Sequence, residues 1–374
     1  MSAKYLHYSY EQLKTFCMDA FQEFGFNSEE AQIITDVLLL SDLYGIESHG
    51  MQRLVRYHKG IEKGMIKVDA KPEIVFETPV SAVIDAHDAM GQLVSHQAMN
   101  LAIEKAKKTG MAIVSVRNSN HFGIAGYYAK MACDQGLIGM AMTNSEAIMV
   151  PTFARMAMIG SNPIALAVPA EPYPFFFDAS TTVVTRGKLE VYNKMEKPLP
   201  EGWALNKDGH PSTDAKDVLK NIVAKNGGGI MPVGGNTEQL GSHKGYGYGM
   251  MCEIFCSVFS QGTPSSHVNV GGKSGTCHGF MAVDPHVFGD PEAIKAHFSA
   301  CLQELRDAPK ADGQTRIYTH GEKEAFAYQD RMENGIDVNI NTVAEMADMA
   351  RYLGMDVEKY LGKVDVHGLE SSYQ

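Results

Sequence analysis

Apolar positions at helical spacing dominate the first 75 residues. Ile33, Ile34, Val37, Leu38 and Leu40 supply the apolar face of a helix that Ser28 caps, with Glu29 and Glu30 in its first turn. A second helix is predicted from Ser48 to Lys63, with Gly64 closing it. From about residue 76 the texture changes, and short apolar runs alternate with amphipathic stretches. Strands are predicted at Ser81 to Asp85, Met111 to Val116 and Leu137 to Met142, and helices at Gly91 to Lys108 and Ile124 to Cys133. Two further strands fall within 159–185. Residues 193–243 are rich in Gly, Pro, Asn and Lys and read as loop, followed by a helix from Tyr246 to Ser260. Asp290-Pro291-Glu292 starts a helix running to Asp307, with Asp as N-cap and Pro in the first turn. Asn341 opens a last helix that stops at Gly354. The order predicts an α/β fold. An α/β domain is expected over residues 76–290, beside a helical domain built from both termini, 1–75 with 291–374.

Composition narrows the class. The chain has 374 residues, 44% of them apolar and 21% charged, enough for two domains with a large core. A net charge of −11 argues against a general nucleic-acid binder, while leaving room for a local basic cluster that holds a small anion. No apolar run approaches the length needed to span a bilayer, and Met1-Ser2-Ala3-Lys4 leads into no secretory apolar segment. The six cysteines contain no CxxC, which fits free thiols in a reducing cytoplasm better than a zinc or redox site. Cys252 and Cys256, one helical turn apart, read as core.

Four segments hold side chains suited to chemistry. On a helix from Ser48, the residues His49, Arg53, Arg56 and Tyr57 share one face. Arginine grips a carboxylate with two parallel hydrogen bonds, and histidine moves a proton near neutral pH. Ser48 and His49 at that helix's start would also meet free backbone N–H groups. The plain alternative is a solvated basic face. Asn118-Ser119-Asn120-His121-Phe122-Gly123 follows a buried strand and precedes a helix, the usual ligand position in α/β folds, so His121 is a second acid/base candidate. Asn-rich capped turns look the same. The run from Gly234 to Gly247, with Lys244 and Gly245, leads into a helix and suits a pyrophosphate, or is simply a glycine loop. Phe175 to Thr182 ends an apolar strand in Asp178 and hydroxyls including Ser180, suited to ribose and phosphate or to an ordinary strand-end turn. Neither a Rossmann glycine fingerprint nor a Walker A loop is present; Gly272-Lys273-Ser274 lacks the upstream glycine.

Taken together, the motifs resemble the type-2 malate/L-lactate dehydrogenase family, which includes ureidoglycolate, sulfolactate and 2,3-diketogulonate enzymes and is unrelated to the Rossmann-type lactate dehydrogenases. The resemblance runs from about residue 8 to about residue 360. It is carried by Ser48-His49-Gly50 with Arg53 and Tyr57, Asn120-His121-Phe122-Gly123, Thr143-Asn144-Ser145, Gly160-Ser161-Asn162-Pro163, Asp178-Ala179-Ser180, Gly187-Lys188, Leu199-Pro200-Glu201-Gly202-Trp203, His243-Lys244-Gly245-Tyr246 and Gly321-Glu322. It implies NAD or NADP in a non-Rossmann α/β fold, no metal, and a homodimer with active sites near the subunit contact. Hydride transfer between a small 2-hydroxy acid and its 2-keto acid is the expected reaction. The resemblance assigns proton transfer to His49 or His121 and substrate binding to Arg53 with Ser48 and Tyr57. It places Phe176, Asp178, Lys244, Gly245 and Glu322 in the cofactor site, with Asn162, Pro163 and Ser180 alongside. Spacing favours His49 as the carrier, since one helical turn, roughly 6 Å along the axis, separates it from Arg53. Two departures stand out: Ser161 replaces a usual Thr, and Thr319-His320 precede Gly321 where Pro is usual. Both bear on cofactor selectivity. Within the family, another 2-keto acid or a cyclic imine acid is the alternative substrate. Outside it, a metal-dependent hydrolase using His49, His121 and Asp178 would need a bound divalent ion. A non-catalytic binder would need neither histidine as a proton carrier.

Overall fold

The computed structural model describes residues 5–364; residues 1–4 and 365–374 of the expected helical region lie outside them. The chain begins with β1 (Tyr5–Tyr8), α1 (Tyr10–Glu23), α2 (Ser28–Leu43) and α3 (Leu54–Glu62). The central part runs β2 (Glu73–Thr78), β3 (Ser81–Asp85), α4 (Gly91–Thr109), β4 (Met111–Ser119), α5 (Ala125–Cys133), β5 (Ile138–Thr143), β6 (Ile164–Val168) and β7 (Phe175–Ala179). Then come α6 (Arg186–Lys194), β8 (Ala204–Leu205), β9 (Pro211–Ser212), α7 (Ala215–Ala224), β10 (Gly229–Ile230), α8 (Ser242–Glu253) and β11 (Thr276–Val283). The chain closes with α9 (Pro291–Asp307), α10 (Glu322–Asn334), β12 (Ile336–Asn339), α11 (Ile340–Tyr352) and α12 (Val357–Leu361).

The fold is α/β around a seven-stranded sheet of order β2-β3-β4-β11-β5-β6-β7. Only β3 and β4 pair in parallel, so the sheet is mixed and its topology is not that of a Rossmann domain. One core lies between the sheet and helices α4 and α5, with Val94, Met99, Val114, Phe122 and Phe280 at its centre. A second core joins the two ends of the chain. Phe16, Phe21, Leu38 and Leu54 pack there against Val343, Met346 and Met349, and β1 pairs antiparallel with β12. A third, smaller cluster of Leu189, Val218, Ile222 and Ile230 fills the lobe around α6 and α7.

Most elements fall where the pattern predicts. Asp290 caps α9 with Pro291 in its first turn, and Gly110 closes α4 at φ 93°. The exceptions are informative. Asn27, not Ser28, is the N-cap of α2, forming a reciprocal capping box with Glu30. Residues 193–243 hold α7 and a three-stranded sheet as well as loops. The α8 helix starts at Ser242, earlier than its apolar pattern indicates, and continues into a wider turn over Ile254–Val258. The middle strand β11 went unread in the pattern because both of its faces are covered, which removes the alternation that marks a half-exposed strand.

The largest correction concerns Ser48 to Lys63. In place of one helix there are two short 3₁₀ turns, Glu47–His49 and Met51–Arg53, before α3 begins. The break is at Gly50, where ψ is −137°. The buried Asp42 carboxylate lies under this glycine and accepts a hydrogen bond from the Met51 N–H at 2.7 Å. A Cβ on Gly50 would stand 2.1 Å from that carboxylate. His49 and Arg53 are therefore placed by a kinked path, not by a shared helix face, and Tyr57 is buried. Gly50→Ala should cost about 1–3 kcal/mol through this overlap. Thermal unfolding should show the loss, with activity falling further than stability because His49 and Arg53 flank the kink. Wild-type melting and activity in this variant would refute the tight fit.

His278, on β11, spans the two neighbouring strands. Its ring nitrogens lie 2.8 Å from Thr143 Oγ1 on β5 and 2.8 Å from Ser119 Oγ on β4. Burial pushes its pKa down to about 3. An unfolded histidine takes up its proton near pH 6.5, so the neutral native ring contributes stability above that pH that is lost as pH falls toward 3. His278→Gln should melt lower than wild type at pH 7 and lose less melting temperature between pH 7 and pH 4. Equal acid slopes for the two proteins would show that His278 does not contribute.

Candidate active site

The ends of three strands converge. β11 runs antiparallel to both β4 and β5, so Thr276 lies beside Ser119, and His278 beside Thr143. The loops after β4 and β5 and the segment before β11 therefore open at one edge of the sheet. The His278 ring stacks on Phe122 with centroids 4.5 Å apart and planes 5° off parallel. Asn120 pins the same loop by donating to the carbonyls of Met65 (3.1 Å), Asp88 (3.0 Å) and Ala89 (3.0 Å). His121, between Asn120 and Phe122, is held on both sides.

A cleft of about 370 Å³ opens there, within the range of small-molecule sites. His49, Arg53, Arg56 and His121 line one side, and Thr143, Asn144, Ser145, Ser161 and Pro163 another. The two imidazoles stack with centroids 5.6 Å apart at 27°. The Tyr57 hydroxyl is 2.8 Å from Nδ1 of His121, and the Ser48 hydroxyl is 2.8 Å from Nδ1 of His49. Arg53 donates from Nε to the Ser48 carbonyl at 2.5 Å. Among the described residues no carboxylate pairs with Arg53 or Arg56. Arg186, also in the cleft lining, is paired with Glu190 at 3.0 Å and Glu146 at 3.6 Å.

Burial, reinforced by these charges, sets the histidines. Desolvation, followed by the Arg53 and Arg56 charges, lowers the pKa of His49 to about 4. Desolvation likewise puts His121 well below 6.5, followed by the fields of Arg56, His49 and Arg53. Both rings are neutral at physiological pH.

The residues expected to hold a cofactor are distributed more widely. Pro163 lines the cleft, and the buried Asn162 stands behind it. Asn162 accepts from the Ser145 N–H at 3.1 Å and donates to the Gly249 carbonyl at 3.1 Å, bracing the cleft wall. Asp178 accepts from the Gly126 N–H at 2.7 Å in the first turn of α5, and burial raises its pKa to about 6. Phe176 packs so close to Gly126 that an added Cβ would lie 2.2 Å from its ring. The Ser180 hydroxyl donates to the Thr182 carbonyl at 3.1 Å. Lys244 is exposed in the first turn of α8, and Gly245 lies against the Val233 backbone. Glu322 is buried between Arg306 (2.7 Å), Arg316 (2.5 Å) and Thr319. Burial alone would raise its pKa, but the hydrogen bonds from Thr319, Arg306 and Arg316 outweigh it and bring the value to about 2. Phe176, Asp178, Ser180, Lys244, Gly245 and Glu322 are thus not in the wall of the cleft that holds the histidines. His49, His121 and Asp178 do not converge as a metal-ligand set.

Arg186, Glu146 and Glu190 went unremarked as site residues in the sequence. Arg186 is next to the Gly187-Lys188 motif, on the helix whose Leu189 joins the third cluster, and only the fold brings it into the same cleft lining as Arg53.

Known proteins share this architecture. The family model described as malate/L-lactate dehydrogenase matches residues 8–347. A malate dehydrogenase of Pyrococcus abyssi is 42% identical over 353 residues, covering 94% of this chain and 96% of its own. An L-sulfolactate dehydrogenase of Methanocaldococcus jannaschii is 34% identical, covering 94% of this chain and 98% of its own. The crystal structure of a malate dehydrogenase from Entamoeba histolytica superposes with a TM-score of 0.91 at 35% identity, covering 94% of this chain and 99% of that one. With a family match over most of its length and relatives of this identity and coverage, the chain belongs to the malate/L-lactate dehydrogenase family.

Proposed function

We propose that the protein is a nicotinamide-dependent oxidoreductase that interconverts a small 2-hydroxy acid and its 2-keto acid. One observation carries the reading: two stacked imidazoles, kept neutral, share a cleft with guanidinia that have no carboxylate partner among the described residues. A carboxylate entering the cleft meets Arg53, and the oxygen on the adjacent carbon then lies within reach of a histidine. The same anion offsets the positive field and raises the histidine pKa toward neutrality, where proton transfer works in both directions.

The hydroxyls of Ser145 and Ser161 on the opposite wall suit the carboxamide of a nicotinamide ring. When bound, NAD or NADP supplies the hydride acceptor or donor. Asn162 and Pro163 support that wall, and Asp178, Ser180, Phe176, Lys244, Gly245 and Glu322 are assigned to the remainder of the dinucleotide. Through Asp178, α5 is tied to β7 beside the cleft loop. An exposed apolar strip on and after α8, including Tyr248, Met251, Val258 and Phe259, supports a homodimer. No described helix is long and apolar enough to cross a membrane, which is compatible with a cytoplasmic site of action.

His121 is assigned as the proton carrier. The one-turn spacing that favoured His49 presupposed a continuous helix, and Gly50 breaks it. The buried Tyr57 phenol fixes Nδ1 of His121 and leaves Nε2 for the substrate oxygen, on a loop pinned by Asn120. His49 is then an orienting group beside Arg53. Oxidation of the hydroxy acid needs a neutral imidazole, so kcat/KM should fall only on the acid side, below pH 6.5, where the depressed pKa lies. His121→Asn should lose about 10²–10⁴-fold in turnover and lose this acid limb, while His49→Asn keeps it. The reverse outcome in side-by-side pH–rate profiles would transfer the role to His49.

Arg53→Ala should raise KM for the keto acid and lower turnover, a loss in kcat/KM of about 2–3 kcal/mol. Titration of reduced nicotinamide cofactor by fluorescence should be little changed. Normal handling of keto acids by this variant would leave Arg53 with a structural role only, through its bond to Ser48.

A further inference from the structure

A buried acid lies behind the cleft wall and takes no part in gripping the substrate or moving its proton. Glu253, the last residue of α8, is buried, and among the described residues no lysine, arginine or histidine pairs with it. Glu322, by contrast, meets two arginines. Five donors hold Glu253 instead. Its Oε1 accepts from the Ser265 N–H at 3.2 Å, from the Ser265 hydroxyl, and from Asn162 Nδ2 at 3.2 Å. Its Oε2 accepts from the Ser257 hydroxyl at 2.6 Å and from Asn144 Nδ2 at 3.4 Å.

Three of these donors cannot be reversed. The Asn162 side-chain oxygen is committed to the Ser145 N–H at 3.1 Å, and that of Asn144 to the Cys277 N–H at 2.8 Å. Both amides must therefore turn their NH2 groups to the acid, and the Ser265 N–H is a donor by nature. Obligate donors thus meet both oxygens, which is the environment of an ionised carboxylate. The charge stands directly behind the wall that suits a nicotinamide ring. Asn144 and Ser145 line the cleft, and the Ser145 hydroxyl meets that of Ser161 at 3.3 Å. Asn144 touches the carboxylate itself, and Ser145 is tied to it through Asn162. The uncompensated charges elsewhere in the lining, Arg53 and Arg56, are positive. An oxidised nicotinamide ring is a cation and a reduced ring is neutral. The guanidinia, the part-buried Arg53 above all, disfavour the oxidised ring, and a buried anion favours it.

We propose that Glu253 sets the balance between oxidised and reduced cofactor. Its buried negative charge opposes the arginine field and brings the two bound forms closer in stability. The inference rests on the nicotinamide reading of the same cleft. Glu253 touches neither substrate nor cofactor; it acts as a positioning residue, through its charge and through the two amides whose direction it fixes.

The test compares wild type, Glu253→Gln and Ser257→Ala in direct binding of NAD+ and NADH, and of NADP+ and NADPH, by calorimetry and nicotinamide fluorescence. Glutamine fits the same space: its oxygen faces Ser265 and Asn162, its NH2 donates to the Ser257 hydroxyl, and Asn144 keeps the Thr263 carbonyl at 2.9 Å. In Glu253→Gln the oxidised form should lose about 5–20-fold in affinity relative to the reduced form. Ser257→Ala removes a hydrogen bond from the same carboxylate but keeps its charge. It should melt lower than wild type and leave the ratio of the two affinities within about twofold. A purely structural role would weaken both forms together. Should Glu253→Gln not fold, Glu253→Met with Ser257→Ala takes its place, removing the charge and one donor at once, with the same expected shift in ratio. An unchanged ratio in the charge-free variant, or an equal shift in Ser257→Ala, would overturn the proposal and leave the nicotinamide reading standing. If wild type binds neither cofactor pair, the nicotinamide reading itself fails and the role of Glu253 falls with it.

Discussion

The insertion of β11 between β4 and β5 is the constraint on which the candidate site depends. Its antiparallel register brings the start of one strand beside the ends of two others. Three loops far apart in sequence thereby open at one edge of the sheet. His278 then joins the strands crosswise through Ser119 and Thr143 and offers a ring on which Phe122 stacks. Because this histidine is fully buried and neutral, it acts as a two-ended hydrogen-bonding strut, and a charged ring there would be strongly disfavoured. The position of His121 follows from this strut and from the three carbonyls that Asn120 engages.

Two arginine environments in the same molecule show how charge is used. Arg306 and Arg316 converge on the buried Glu322, and that closed cluster fixes the start of α10. Arg53 and Arg56 are left without such a partner among the described residues, beside histidines kept neutral first by burial and then by these charges. Arg53 is part-buried and Arg56 exposed, so the desolvation cost of an unpaired charge, which an anion would relieve, falls chiefly on Arg53. Arg186, in the same lining but neutralised by two glutamates, contributes shape and hydrogen bonds with little net field.

Much of this is legible in the sequence. Amphipathic periodicity located most of the helices, and the caps at Asp290 and Gly110 gave their ends to within a residue. The residue types at Ser48, His49, Arg53 and His121 indicated proton transfer beside carboxylate binding, and the motif order pointed to the family. Local pattern failed where packing overrides it. Nothing in the spacing of His49 and Arg53 reveals that the Asp42 carboxylate occupies the space beneath Gly50 and breaks the expected helix. Nothing in the residues of β11 marks a strand covered on both faces.

The sequence by itself determined which side chains are available and the local elements that carry them, because helix caps, periodicity and side-chain chemistry act over a few residues. Tertiary structure alone decided which of those side chains meet. Tyr57 reaches His121 across 64 positions of sequence, and Arg186 comes to line the same cleft as Arg53. It also set their charge states, since the lowered pKa of both imidazoles comes from burial and from guanidinia brought close by the fold. The physical reason is one of range. Propensity and capping are short-range and can be read along the chain, whereas desolvation and Coulomb fields depend on distances through space, which exist only once the chain has folded.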